Sequence, residues 1–229
     1  GISFAEDYDA RLSAFTGAVD VLAQGEADSW RDVESEMPLS AGDKVRTGAE
    51  SSAELTLDDG AVLRLGPDSA MDISSLNPDS SSFFLNLGSL VAKIRAGFLN
   101  RKQFKVRTPT AICAVRGTEF GVEHDQSGET TAGVFDEGSL SVASLDKDGK
   151  TLAEETVEKG TEVRLRAGAR EFKPGAMKRL VRHRKALEAA RGRLAALRGK
   201  WKRLDPEKRR DLRKQFLTRK ASRGPKALK

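Results

Sequence analysis

From Gly17 to about Leu165, apolar and polar residues alternate in short runs, broken by turn residues at roughly ten-residue spacing. The stretch "SSAELTLDDGAVLRLGPDSAMDIS", residues 51–74, is the clearest case. Leu55 and Leu57 alternate with polar neighbours, Asp59-Gly60 turns the chain, and Val62 and Leu65 resume the apolar run. A period of two suits a half-buried strand, and an Asp-Gly pair tolerates the positive φ of a tight hairpin. Val19 and Val21 share one face, as do Phe83, Leu85 and Leu87. After a Gly88-Ser89 step, Leu90, Ala92 and Ile94 face one way and Val91 the other. Phe104 with Val106, Leu140 with Val142 and Val163 with Leu165 continue the alternation. Many short strands with regular turns predict a mainly β fold: an antiparallel two-sheet β-sandwich or roll, with a solenoid-like arrangement left open. The four residues Lys44–Thr47 return as Lys105–Thr108, a weak hint of two related β layers.

The texture changes at Pro174-Gly175. Leu180, Leu187, Leu194 and Trp201 fall seven apart, and His183, Ala190, Leu197 and Leu204 fall three after each. This spacing predicts a helix over residues 176–204, about 42 Å long at 1.5 Å per residue, with a narrow apolar stripe. Gly192 and Gly199 weaken it by about 1 kcal/mol each. Asp205, Pro206 and Glu207 then supply a cap, a first-turn proline and an acid that complements the helix dipole. Leu212, Phe216 and Leu217 give this restart a short apolar face. The predicted division is an N-terminal segment (1–16), an all-β domain (17–170), a linker (171–175), a basic amphipathic helical extension (176–218) and a disordered basic tail (219–229).

Charge divides the chain in the same place. Residues 1–170 carry 18 Lys and Arg against 29 Asp and Glu; residues 171–229 carry 22 against 5. An acidic body is joined to a strongly basic extension, which is a statement about association and not about fold. The basic face holds Arg179, Arg182, Arg184, Lys185, Arg191, Arg193, Lys200 and Lys202. Three readings stay open for it: a solvated surface; a helix that docks on the acidic body, another subunit or a partner; or a contact for a polyanion, without a recognised nucleic-acid reader motif. No apolar run is long enough to span a bilayer. The start "GISFAEDYDARL" is expected to be a mature end left by signal-peptide cleavage, which implies a periplasmic or secreted protein.

Chemistry-bearing residues are sparse. The single cysteine, Cys113, lies between Ile112 and Ala114 and reads as a small buried hydrophobe; His124 is the histidine nearest to it in sequence. "LDKDGKTL", 145–152, resembles half a calcium loop, but Val157 stands where a bidentate glutamate is needed, so a hairpin tip is expected. Two histidines and one cysteine offer no transition-metal spacing, and no nucleophile–base pair stands out, so neither cofactor nor small-molecule substrate is expected. Arg116, between Val115 and Gly117, is expected to be a buried structural clamp at a strand end, with Glu119 and the carbonyls of the Gly117 turn as its obvious local partners, or a distant acid if Glu119 points away; an anion or peptide contact is the functional alternative.

The stretch "VRTPTAICAVRGTEFGV" resembles the hallmark of the FecR family. The preceding "GDKVRTGAESSAELTLDDGAVLRLGPDS" and the following "FDEGSLSV" are similar to the segments that flank it there, so the likeness covers about residues 17–166. It implies an extracytoplasmic all-β domain that works by contact. Arg107, Thr108, Pro109, Arg116, Gly117, Thr118, Glu119 and Phe120 are then the fold's signature. The best-known members add a cytoplasmic anti-sigma segment and a membrane span. Neither is read in this chain, so iron-uptake signalling is not carried over. The resulting expectation is a non-enzymatic binding or scaffold protein of the bacterial envelope. Its helix would dock on a protein partner or a second copy through Leu180, Leu187, Leu194, Leu197, Trp201 and Leu204; the alternative is polyanion binding through the basic face.

Overall fold

A computed structural model describes residues 8–58, 60–95, 97, 103–116 and 119–220. Asp59 of the expected hairpin turn, Gly117 and Thr118 of the signature, and residues 221–229 of the expected tail lie outside these. The strands in chain order are β1 (Ala10–Thr16), β2 (Val19–Leu22), β3 (Arg31–Asp32), β4 (Met37–Pro38), β5 (Lys44–Thr47), β6 (Ser52–Leu57), β7 (Ala61–Leu65), β8 (Ala70–Leu76) and β9 (Ser80–Ile94). They continue with β10 (Gln103–Arg107), β11 (Ala111–Val115), β12 (Glu119–His124), β13 (Glu129–Val134), β14 (Ser139–Leu145), β15 (Thr151–Glu158), β16 (Thr161–Arg166) and β17 (Gly175–Ala176). A 3-10 turn (Leu180–His183) leads into α1 (Arg184–Leu197), and α2 (Pro206–Leu217) follows. No helix among the described residues is long and apolar enough to cross a membrane.

The fold is mainly β, but the expected two sheets are one 17-stranded sheet. Two runs of pairings meet in β9. One run is β4-β1-β6-β7-β9-β12-β13-β16-β17. The other is β3-β2-β5-β8-β9-β10-β11-β14-β15. The first part of β9, through Leu87, serves the second run, and Gly88–Ile94 serves the first. Gly88 marks the handover: its φ is 93°, and a Cβ there would stand 2.5 Å from the Cα of Ser69. The expected antiparallel pairing also has an exception, since β10 runs parallel to β9.

Inward side chains of both runs share one core. Phe83 and Phe104 from the second run stack 5.5 Å apart, and Phe120 from the first meets Phe104 edge-on at 5.8 Å. The echoed tetrapeptides end alike, in a buried threonine whose hydroxyl accepts a backbone N–H, across 22 residues at Thr47 and within a turn at Thr108. Thr47 Oγ1 accepts from the Ser69 N–H, and Thr108 Oγ1 accepts from the Ala111 N–H, each at 3.0 Å. Strand β1 lies within the segment expected to precede the body: Ala10 and Leu12 are buried in the core, while Arg11 and Ser13 are buried on its opposite face.

The helical extension differs from the single helix expected over 176–204. Gly175 and Ala176 instead pair with β16. Helix α1 ends at Leu197, and Gly199 follows with φ of 69°. Helix α2 restarts as expected, with Asp205 accepting from the Glu207 N–H at 2.9 Å.

Candidate interaction surface

The outward face of the first run is not a solvated sheet face. Strand alternation points Val62 of β7 and Val91 of β9 away from the main core, yet both are buried. Beside them β12 presents Glu119, Gly121 and Glu123, and β13 presents Gly133. Gly121 and Gly133 are register partners, so their missing side chains make one shallow floor. Buried carboxylates ring it: Glu54 from β6, Glu119 and Glu123 from β12, and Glu162 from β16.

The helical extension fills this groove in the same chain. Leu180 sits over the glycine floor; a Cβ on Gly133 would stand 2.8 Å from Leu180 Cδ1 and 2.8 Å from the Thr161 carbonyl. Glu162 fixes where the helical part begins. Its carboxylate accepts from the backbone N–H groups of Arg179 and Leu180, each at 2.9 Å, which satisfies donors that a helix start leaves open. Leu180 and Leu187 then pack with Val91 and Phe135, while Ala190 and Leu194 pack with Val62, Leu197 lying alongside. Further on, the Arg11 guanidinium lies 4.3 Å from the centre of the half-buried Trp201 ring, and the Leu204 N–H donates to Asp9 at 2.8 Å. The expected stripe is therefore an interface, but its partner is the chain's own sheet.

Ion pairs run along the seam. Arg179 reaches Glu123 and Asp125 at 2.8 Å each and Glu129 at 3.2 Å. Arg182 also pairs with Glu123, and His183 Nε2 lies 3.0 Å from the same carboxylate. Arg184 pairs with Asp136; Arg191 bridges Glu119 and Asp136, each at 2.6 Å; Arg193 meets Glu54 at 2.6 Å. Arg203, Arg209 and Arg213 continue the series onto Asp58, Asp9 and Asp43. Lys185, Lys200 and Lys202 remain exposed.

These pairs set the protonation of the face. Burial alone would raise the Glu123 carboxyl; hydrogen bonds from His183, Arg182 and Arg179 outweigh it and bring it down to about 2. Glu119 is likewise lowered: burial opposes, but Arg191 and Lys93 prevail. His124 is lowered by burial, its Nδ1 lying 3.0 Å from Thr130 Oγ1.

The other expected positions divide into core and surface. Phe120 is core, Thr108 is buried, and Arg107 and Pro109 are exposed. Arg116 is exposed and is not the buried clamp expected; Glu119 pairs instead with Lys93 and Arg191. The cause is strand parity: Glu119 is an outward residue of β12 and meets the helix. Asp146 accepts from the Asp148 and Lys150 N–H groups at 2.9 Å, a self-satisfied hairpin tip. Among the described residues no cluster of His, Cys, Asp and Glu could hold a metal ion. Cys113 is fully buried and its thiol is pushed up to about 12 by burial. A maleimide at neutral pH is therefore expected to leave the native protein unlabelled and to modify the urea-unfolded chain fully; native labelling, read by mass, would contradict the sealed core. The residues that sequence reasoning missed are Glu54, Glu123, Glu162, Gly121 and Gly133. Their common signal is outward parity beside outward valines.

No curated protein matches the chain. Two crystal structures of a "putative anti-sigma factor" from Parabacteroides distasonis are similar, at 16% identity and a TM-score of 0.49, over 60% of this chain. The alignment covers 61% of those chains, so this protein spans about three fifths of their length. The family described as "FecR protein" matches residues 43–141, which take in β5 to β13, the first residues of β14 and the glycine floor with Glu119 and Glu123, and stop short of Glu162 and both helices. Over residues 43–141, less than half of its length, this chain is similar to FecR proteins.

Proposed function

We propose that this chain is a non-enzymatic binding protein of the bacterial envelope, periplasmic or secreted, that acts by contact through its FecR domain. The observation that supports this most is the edge of the second run. Strand β15 pairs with β14 and with no other described strand in register, and Glu154, Glu155, Thr156 and Glu158 are exposed along it. An exposed edge offers main-chain hydrogen bonds to an extended segment of a partner, and the three glutamates favour a basic one. The outward face beside this edge is not covered by either helix. One cross-strand row runs Phe84, Arg107, Ile112, Ala143 and Glu154, with Phe84 and Ile112 half-buried.

The helices play a different part from the one expected. Their apolar stripe is spent on the chain's own sheet, so they act as an internal clasp and not as the partner-binding element. Polyanion binding draws less support for the same reason: Arg179, Arg182, Arg184, Arg191 and Arg193 already meet carboxylates of the body.

The test is a photo-crosslinking residue placed at Thr156, Ile112 or Lys185 in the producing cell. Thr156 and Ile112 should give a discrete protein adduct, with Lys185 silent. Adducts from Lys185 alone would assign binding to the helices and sink the reading. Fractionation of the same cells checks the compartment.

A further inference from the structure

The sheet and α2 line a half-open cavity of about 430 Å³ that lies apart from the α1 seam and from the proposed edge contact. That volume lies in the range of small-ligand pockets. Its floor is apolar, formed by Tyr8, Leu39 and Leu76, and Leu217 of α2 faces them. Leu217 is 40% exposed, one of few large apolar side chains left so among the described residues. Covering such a side chain is favourable, and none of the described residues does it fully.

Across from this floor α2 presents Arg209, Arg213 and Lys214, which fall on one side of the helix by their spacing. The two arginines are held rigidly. Arg213 donates to Asp43 and to the Pro38 carbonyl at 3.2 Å, and Arg209 donates to Asp9 at 3.1 Å and to the Leu39 carbonyl. Both aspartates are shared, however. Asp9 also accepts from Arg11 and from the Leu204 N–H, and Asp43 accepts from the backbone N–H groups of Gln24 and Ser40. Arg11 also pairs with Glu36, so these three arginines meet three carboxylates, and the positive charge left over on this wall is that of Lys214. Lys214 makes no ion pair with any described carboxylate. Arg209 is lowered, first by burial and further by Arg213 and Arg11, though Asp9 and Asp43 oppose this.

We infer that this cavity binds a small amphiphilic anion, with an acyl or aromatic body against Leu39, Leu76 and Leu217 and a carboxylate or phosphate head at Lys214 and the two arginines. The apolar wall selects for the body and the fixed guanidinium groups for the head. Binding needs no rearrangement of the sheet, because α2 is already seated by its Asp205 cap and by Phe216 in the core.

Titration calorimetry on the full chain tests it, with dodecanoate as probe below its micelle concentration and dodecanol and acetate as controls. Saturable binding of dodecanoate is expected, at least tenfold tighter than either control. Lys214→Glu and, separately, Leu217→Asp should each weaken it by tenfold or more; both positions are exposed, so circular dichroism should show the native fold. Lys185→Glu, on the far helix, should bind as the wild type does. The proposal fails if dodecanol binds as tightly as dodecanoate, if neither cavity variant changes affinity, or if dodecanoate does not saturate.

Discussion

Replacing Leu187 and Leu194 together by aspartate is expected to free α1 from the sheet while the β body stays folded. Both leucines are buried, and each is worth about 1.5–3 kcal/mol on burial. The pair therefore holds the helix with about 3–6 kcal/mol, before the cost of placing two new carboxylates against Glu119 and Glu54 is counted. The exposed ion pairs cannot replace that. Arg184–Asp136 and Arg203–Asp58 have largely exposed arginines, and such pairs give about 0–1 kcal/mol each. Helix α2 should hold, because Phe216 sits in the main core and Arg209 and Arg213 anchor to buried aspartates. Opening of α1 should rise by at least about a hundredfold, which is what 3 kcal/mol implies. Limited trypsinolysis reads it directly, since α1 is rich in arginine. Cleavage within residues 184–198 should accelerate by that factor, while the thermal transition of the sheet changes little. Unchanged cleavage would mean that the leucine stripe is not what seats the helix.

Why the docking surface was less legible than the helix follows from how each is written in the chain. Heptad spacing puts Leu180, Leu187 and Leu194 on one face, and this is visible in a single stretch. Their receptor is assembled from Val62, Val91, Gly121, Gly133 and Phe135, which lie on different strands or beyond their ends and meet only through long-range pairing. Taken singly, Glu54, Glu123 and Glu162 look like ordinary outward polar residues. The strand alternation was legible because inward residues such as Leu55, Leu57 and Val106 answer to one core. What alternation cannot convey is that β9 serves two runs: a strand that crosses from one set of neighbours to another reads the same as one that does not. Arg116 was misjudged for a related reason. Proximity in sequence suggested Glu119 as its partner, but the strand parity of Glu119 hands that carboxylate to Arg191. The charge split was plain in the sequence, and the ladder of pairs shows its use, with the acidic face and the basic helices neutralising each other within one chain.

Acid should open the same seam from its other end. Glu123 is the shared acceptor of Arg179, Arg182 and His183, and its carboxyl is held down at about 2 against an ordinary 4.5. A carboxyl lowered in the folded state contributes stability that is complete above its unfolded value and is lost as pH falls through the folded one. For Glu123 the window runs from about pH 4.5 down to about 2, and the contribution is about 3 kcal/mol. Asp125 and Glu119 are also lowered, Asp125 first by its Ser127 hydrogen bond and Glu119 by its cations against burial, so they add in the same direction. His124 adds to the loss at higher pH, because burial disfavours its charged form and protonation below its ordinary 6.5 works against the fold. Protection of the Arg179 and Leu180 amides, which Glu162 holds, should therefore fall between pH 5 and about 3, so that their exchange slows less over that range than the intrinsic rate does. Glu123→Gln should exchange faster at neutral pH, by up to about a hundredfold, and show a shallower dependence across that window, since the group that titrates is gone. A wild-type profile parallel to that of the variant would show that Glu123 does not govern how firmly the clasp is held.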